Sequence, residues 1–345
     1  MRGVDIRRRR PTPHGRHRKA FARLLEEFEG RGPEIEHLMR SVRAGRIVHA
    51  YLLAGGRGCG KRTLARRLAG GLVCEAEPQN RPCGLCPSCK RFAAGTHPDV
   101  RVLAPKGRSI GVEDVRELID YLSRRPYEGG WHIAIVERAD KMTPSAQNAL
   151  LKTLESPPED TVFFLLTDSP GALLGTVRSR LRLVRVPPLT REACAAVLAR
   201  RGVEPSRALR LAGLAHGSVG RALEMEADEG FTALTERALD ALAALDGPAS
   251  VAEAAAPFYE ERERQEDLLE IFETLGRDRM ALQNGAEPEA FAREELQRVR
   301  LDGGAMMLAA MEARRMLFAN VSWPNVLDAT LLSLTTKAAR RQNDA

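Results

Sequence analysis

Residues 55–63 read Gly-Gly-Arg-Gly-Cys-Gly-Lys-Arg-Thr, the phosphate-loop pattern G-x-x-x-x-G-K-[S/T] with its last position changed. Gly55, Gly58 and Gly60 let a backbone curl around phosphate oxygens, and Lys61 supplies the charge that meets them. The hydroxyl that the pattern places after the lysine ligates the magnesium of a bound nucleotide. Here that position is Arg62. A guanidinium cannot coordinate a cation, and its charge repels one. Thr63 lies one residue on, roughly 100° further round a helix, and does not restore the ligand. These residues predict a phosphate loop whose metal chemistry is lost, and leave open whether ATP is held in cis.

A second constellation follows within sixteen residues: Cys74, Cys83, Cys86 and Cys89, spaced C-x8-C-x2-C-x2-C. Two-residue spacers let thiolates converge on one ion, and Pro82, Gly84 and Pro87 favour the turns between them. Four thiolates complete a tetrahedral zinc shell with no open position, so the expected site is structural. Four reduced thiols or two disulfides are the alternatives. His97 is near in sequence, but a filled four-thiolate site has no place for a fifth ligand, and His97-Pro98 reads as a turn. Cys59 and Cys194 read as ordinary buried thiols.

Hydrolysis in a phosphate-loop ATPase also needs an acid at a strand end that helps hold magnesium, often with a glutamate after it to polarise water. The apolar run Ile133–Val136 ends in Glu137-Arg138-Ala139-Asp140. Glu137 can stand for the metal-binding acid, but Arg138 takes the position of the base and cannot accept a proton. Further on, Thr176-Val177-Arg178-Ser179-Arg180 places arginines where a subunit edge can present charge to a neighbour's phosphate.

The elements that must position these groups are short apolar runs separated by helical segments. Val48–Ala54, Val100–Leu103, Ile133–Val136, Val162–Thr167 and Leu183–Val186 do not alternate, which predicts strands of a parallel sheet buried on both faces. The first feeds the glycine loop, and Leu64, Leu68 and Leu72 then recur at helical spacing. Thr143 and Pro144 read as N-cap and first turn of a helix bearing Ala146, Leu150 and Leu154, stopped by Pro157-Pro158. Pro187-Pro188 marks a boundary. Cys194, Val197, Leu198 and Leu209, Leu211, Leu214 then give a small helical segment. Beyond residue 230 only helical periodicity remains, at 235–245, 250–258, 261–275, 287–300, 305–318 and 325–337. The predicted division is a basic tail at 1–20, an α/β phosphate-loop domain at 21–187 carrying a metal module at 74–89, a helical lid at 188–230 and an all-α domain at 231–345.

Bulk properties exclude other classes. The chain has 345 residues, with 43% hydrophobic and 5% aromatic content, as in a soluble helical protein. No apolar run is long enough to span a bilayer, and no apolar segment at the start forms an export signal, which predicts a cytoplasmic protein without membrane contact. The net charge of +7 resides in residues 1–20, where eight Lys/Arg face one acid; the remainder sums to zero. Such a tail reads as a disordered segment able to hold nucleic acid loosely, or as a solubilising extension.

His49-Ala50-Tyr51-Leu52-Leu53 leading into the loop, the cysteine spacing, and the block Ala146-Gln147-Asn148-Ala149-Leu150-Leu151-Lys152-Thr153-Leu154-Glu155-Ser156-Pro157-Pro158 resemble bacterial clamp-loader subunits. Thr176–Arg180 and Gly217-Ser218-Val219-Gly220-Arg221-Ala222-Leu223 extend the resemblance, which is dense over about 30–225 and looser beyond. It implies an AAA+ fold with a zinc module, a lid and a C-terminal collar that joins a pentameric ring. Implied partners are gamma/tau motor subunits, a delta subunit, the sliding clamp and primer-template DNA, in a bacterial, nucleoid-associated setting. Motor subunits of that family hydrolyse ATP, while a stator branch lends an arginine in trans; the residues are most like the stator branch. Position by position, Arg180 matches that arginine and Arg178 is the secondary candidate, with Leu181 in place of a cysteine. The lid arginine of active members falls at Gly220, with Arg221 one residue late.

Two other readings compete. An ATP-hydrolysing motor subunit conflicts with Arg62, Arg138 and Gly220. A zinc-dependent DNA-binding regulator conflicts with the neutral body, since such domains carry a basic face. Arg116, Arg124 and Arg125 flank a helical stretch where DNA phosphates could be met, but solvated helix-surface arginines are the commoner explanation, and these residues are not placed in the site.

Overall fold

Alternation along the strands decides how the first half is layered. In the computed structural model, which describes residues 32–128 and 130–343, the chain divides after Pro188 into two units. The basic stretch 1–20 lies outside the described residues. The first unit runs α1 (Pro33–Arg43), β1 (Ala50–Ala54), α2 (Lys61–Leu72), α3 (Pro87–Ala94), β2 (Val100–Leu103) and α4 (Val112–Ser123). It continues β3 (His132–Val136), α5 (Pro144–Glu155), β4 (Thr161–Thr167), α6 (Gly175–Arg178) and β5 (Arg182–Arg185). The strands form one parallel sheet in the order β2-β3-β4-β1-β5.

Successive side chains of a strand point to opposite faces. Tyr51, Leu53 and Phe164 therefore pack with Ile35 of α1, Leu64 and Leu68 of α2 and Phe92 of α3. Ala50, Leu52, Phe163 and Leu165 pack on the other face with Leu118 of α4 and Leu150 of α5. The expectation of strands buried on both faces holds for β1, β3 and β4, which are buried throughout. It fails for β2 and β5. Each has only one neighbour, and Val102 and Leu183 are left exposed.

This strand order places the carboxyl ends of β1, β3 and β4 side by side, the crevice where open parallel sheets bind ligands. The predicted start of α5 is present: the Thr143 hydroxyl accepts a hydrogen bond from the Ala146 N–H, with Pro144 in the first turn.

The second unit is helical: α7 (Arg191–Arg200), α8 (Pro205–Leu214), α9 (Val219–Ala227), α10 (Glu229–Ala244), α11 (Val251–Ala255), α12 (Gln265–Gln283), α13 (Arg293–Arg298), α14 (Gly303–Phe318) and α15 (Trp323–Asn343). The expected lid and collar share a buried apolar cluster reaching from Leu189 to Leu334. Asp228 ends α9 and caps α10. Gly276 and Gly303 bring α12 against α14: a Cβ on Gly303 would lie 2.3 Å from the Gly276 carbonyl oxygen. Leu211 and Leu214 are buried as their spacing predicts, whereas Leu209 is exposed. Among the described residues no helix is long and apolar enough to cross a membrane.

Candidate functional site

The phosphate loop joins β1 to α2. Gly58 and Gly60 have φ of 73° and 94°, conformations that a side chain disfavours. Gly55 is required for a different reason: a Cβ there would sit 2.2 Å from the Val186 carbonyl oxygen. The buried Lys61 ammonium lies 2.8 Å from the carbonyl oxygens of both Gly55 and Gly56 and 2.5 Å from Asp168 at the end of β4. Sequence reasoning missed Asp168. Its only signal is its place after the run Thr161–Thr167, which becomes meaningful once β4 is known to flank β1. Thr63 enters α2 beyond Arg62 and is half-buried.

Arg62 and Glu137, singled out separately, come together. Nε of Arg62 lies 2.7 Å from Oε1 of Glu137. The guanidinium thus pairs with the carboxylate that the sequence put forward as the metal-binding acid. Arg138 is exposed and left-handed, with φ of 51°. Asp140 accepts a hydrogen bond from the Thr167 hydroxyl at 3.4 Å and pairs with Lys141 at 3.7 Å.

The four cysteines converge. The Sγ atoms of Cys74, Cys83, Cys86 and Cys89 all lie within 4.8 Å of one another, and none is in a disulfide. Tetrahedral zinc with bonds of ~2.3 Å sets its sulfurs about 3.8 Å apart, so this donor set fits one ion. Backbone N–H groups already face the sulfurs: Ala76 and Cys83 donate to Cys74, Leu85 and Cys86 to Cys83, and Cys89 to Cys86. Burial acts against ionisation of the Cys83 thiol, yet those N–H groups and the neighbouring thiols bring it down to about 7. Burial raises the Cys74 and Cys89 thiols.

His97 is not a ligand. Its Nε2 lies 2.8 Å from Ser88 Oγ, whose own proton goes to the Val73 carbonyl at 2.6 Å, while Nδ1 accepts the Asp99 N–H at 3.1 Å. These partners fix a neutral imidazole protonated at Nε2, and burial lowers its pKa. Through Ser88 of α3 it ties the cysteine module to the start of β2. The Val100 N–H bonds to the His97 carbonyl, as the predicted turn requires. Cys59 and Cys194 are buried, outside the cluster.

Arg180 follows α6, before β5. Its Nη2 lies 2.5 Å from Glu155 Oε1, and its Nη1 donates to the Thr176 carbonyl at 2.6 Å and to Ser179 Oγ at 3.3 Å. Arg178 is exposed. In the second unit, Arg221 is engaged by Asp267 at 2.5 Å and Glu270 at 2.7 Å and stacks over Phe231. Arg116 and Arg124 pair along their own helix and its end with Glu113 and Asp120.

A parallel sheet in this strand order, with a glycine loop opening a helix beside its crevice, a cysteine module after that helix and an all-helical C-terminal half, defines an AAA+ phosphate-loop protein. A family profile described as DNA polymerase III, delta subunit, matches residues 31–190. The DNA polymerase III subunit delta' of Bacillus subtilis strain 168 is 30% identical over 310 residues, covering 86% of this chain and 94% of that one. Its counterpart in Escherichia coli K12 is 40% identical over 196 residues, 56% of this chain and 59% of the other. The gamma/tau subunit of Mycobacterium tuberculosis H37Rv is 39% identical over 165 residues, 48% of this chain and 28% of that one. The chain belongs to the delta-prime family of DNA polymerase III clamp-loader subunits.

Proposed function

We propose that this chain is the non-hydrolysing stator of a bacterial clamp loader. It would join gamma/tau-type motors and a delta subunit in a five-membered ring that places the sliding clamp on primer-template DNA. Polymerase activity lies in other chains of the holoenzyme, and the work is done in the cytoplasm, at the nucleoid. Arg180 reaches in trans toward ATP on the adjacent motor and stabilises charge developing on the transferred phosphoryl group, with Arg178 the secondary candidate. The cysteine module holds zinc as a structural element.

The observation that carries the reading is the Arg62–Glu137 ion pair. A hydrolysing site sets a hydroxyl and a carboxylate around magnesium; here the chain's own cation takes the carboxylate and the hydroxyl is absent. Lys61 is likewise bound to Asp168. Phosphate entering the loop must displace that carboxylate, without a metal to help.

Steady-state ATP hydrolysis tests this. The purified chain should show no turnover with or without primed DNA, while a complex reconstituted with motor subunits, delta and clamp should turn over ATP. Arg180→Ala should slow that complex. Hydrolysis by the chain alone, abolished by Lys61→Ala, would refute the proposal.

A further inference from the structure

Arg180 and Arg178 lie two residues apart at one edge, and the structure distinguishes them by the partners that hold their guanidinium groups. Arg178 is exposed, and among the described residues no side chain or carbonyl holds its guanidinium. Arg180 is held on two sides, by Glu155 through Nη2 and by Thr176 and Ser179 through Nη1. Its side chain remains about one-third exposed, and among the described residues Nε–H and one Nη2–H have no partner. The guanidinium is anchored by one part and presents the other.

Glu155 is the last residue of α5, with Pro157-Pro158 following. A carboxylate at a helix C-terminus faces unpaired carbonyls and the negative end of the helix dipole, a placement that favours a cation instead. Helix stability therefore does not account for Glu155; the contact 25 residues along the chain does. We infer that Glu155 is a positioning residue for Arg180, fixing the guanidinium for the phosphoryl group of a neighbouring subunit's ATP. This rests on Arg180 acting in trans. An anchored arginine has given up its rotamer freedom before the transition state forms, which is where preorganised charge is effective.

The test is ATP turnover by the reconstituted complex carrying wild-type chain, Glu155→Ala, Glu155→Gln, Arg180→Ala, or Arg180→Ala with Glu155→Ala. Circular dichroism of each chain verifies folding, and the near-isosteric Glu155→Gln serves if the alanine variant misfolds. The Arg180-dependent part of kcat should fall about tenfold in Glu155→Ala, within the ~10²-fold that small misplacements cost. KM for ATP should stay put, because the interaction strengthens only in the transition state. The double variant should be no slower than Arg180→Ala. Wild-type turnover in both folded Glu155 variants, a change confined to KM, or a further loss in the Arg180→Ala background would overturn the inference while leaving a slowed Arg180→Ala complex intact. Wild-type turnover by Arg180→Ala would instead remove the trans-arginine reading, and this inference with it.

Discussion

Arg62→Thr restores the hydroxyl that the phosphate-loop pattern requires and frees Glu137. An ion ligated by Glu137 would lie ~2.1 Å from a carboxylate oxygen. Arg62 Nε is 2.7 Å from that carboxylate. Where the ion shares the oxygen that Arg62 holds, Nε and ion would be no more than about 5 Å apart, and a divalent and a monovalent cation then repel by about 1.7 kcal/mol at the dielectric of water and by more in a drier site. The aqueous value applies, because the Arg62 side chain is 66% exposed. That energy is roughly twentyfold in affinity. Magnesium should change ATP binding by the wild-type chain little, and should strengthen binding to Arg62→Thr about twentyfold. The Arg62 side of the ion pair is solvent-exposed, so the variant should keep its stability to within ~1 kcal/mol. A fluorescent ATP analogue titrated with and without added magnesium reads this directly. Chelators are to be avoided, since they would strip the cysteine site. Strong magnesium dependence in the wild type, or none in a folded Arg62→Thr chain, would refute the reasoning.

Elemental analysis should give about one zinc per chain, and its removal or Cys86→Ser should lower the melting temperature of the first unit by roughly 10 °C, from ~2–4 °C per kcal/mol. Because thiolates are the ligands, zinc affinity should fall as pH falls. In the second unit, burial, then the neighbouring Arg277, hold the His216 pKa down to about 4. The unfolded chain, with histidine near 6.5, binds the extra proton first, so stability is fully present above about pH 6.5 and is lost as pH falls toward 4. The span corresponds to about 3 kcal/mol. Urea midpoints should drop across that range, and His216→Asn, which tolerates the φ of 49° at this position, should flatten the drop.

What the sequence made legible was local. The cysteine spacing, the Thr143-Pro144 cap and the leucines of α2 each work through residues a few positions apart. The apolar runs located all five strands, because short non-alternating stretches between helices have few other structural solutions. Their lateral order was not legible. Without it, Asp168 has no connection to Lys61, nor Arg62 to Glu137, 75 residues away. The exposed edges of β2 and β5 were missed for the same reason: whether a strand has one neighbour or two is not written in its own residues. His97 shows a subtler limit. The sequence could deny it a ligand role, but its tautomer depends on where Ser88 sends a single proton.

On the proposed reading, the strand ends also separate two losses that one altered motif would merge. Glu137 is paired with Arg62, Asp168 with Lys61 and Asp140 with Lys141, so each of these carboxylates is met by a cation of the chain itself. Changing Arg62 returns one carboxylate to a metal. It does not return a base, because Arg138 stands at that position and cannot take a proton from water. On the proposed reading, magnesium-dependent nucleotide affinity and hydrolysis are therefore independent: the first is one substitution away, and the second is not. A site that had merely decayed would leave its acids unpaired and the crevice negatively charged. These acids are each met by a cation instead, so the charge of the crevice is balanced without ligand, as the proposed stator role asks of a subunit that leaves ATP to its neighbours.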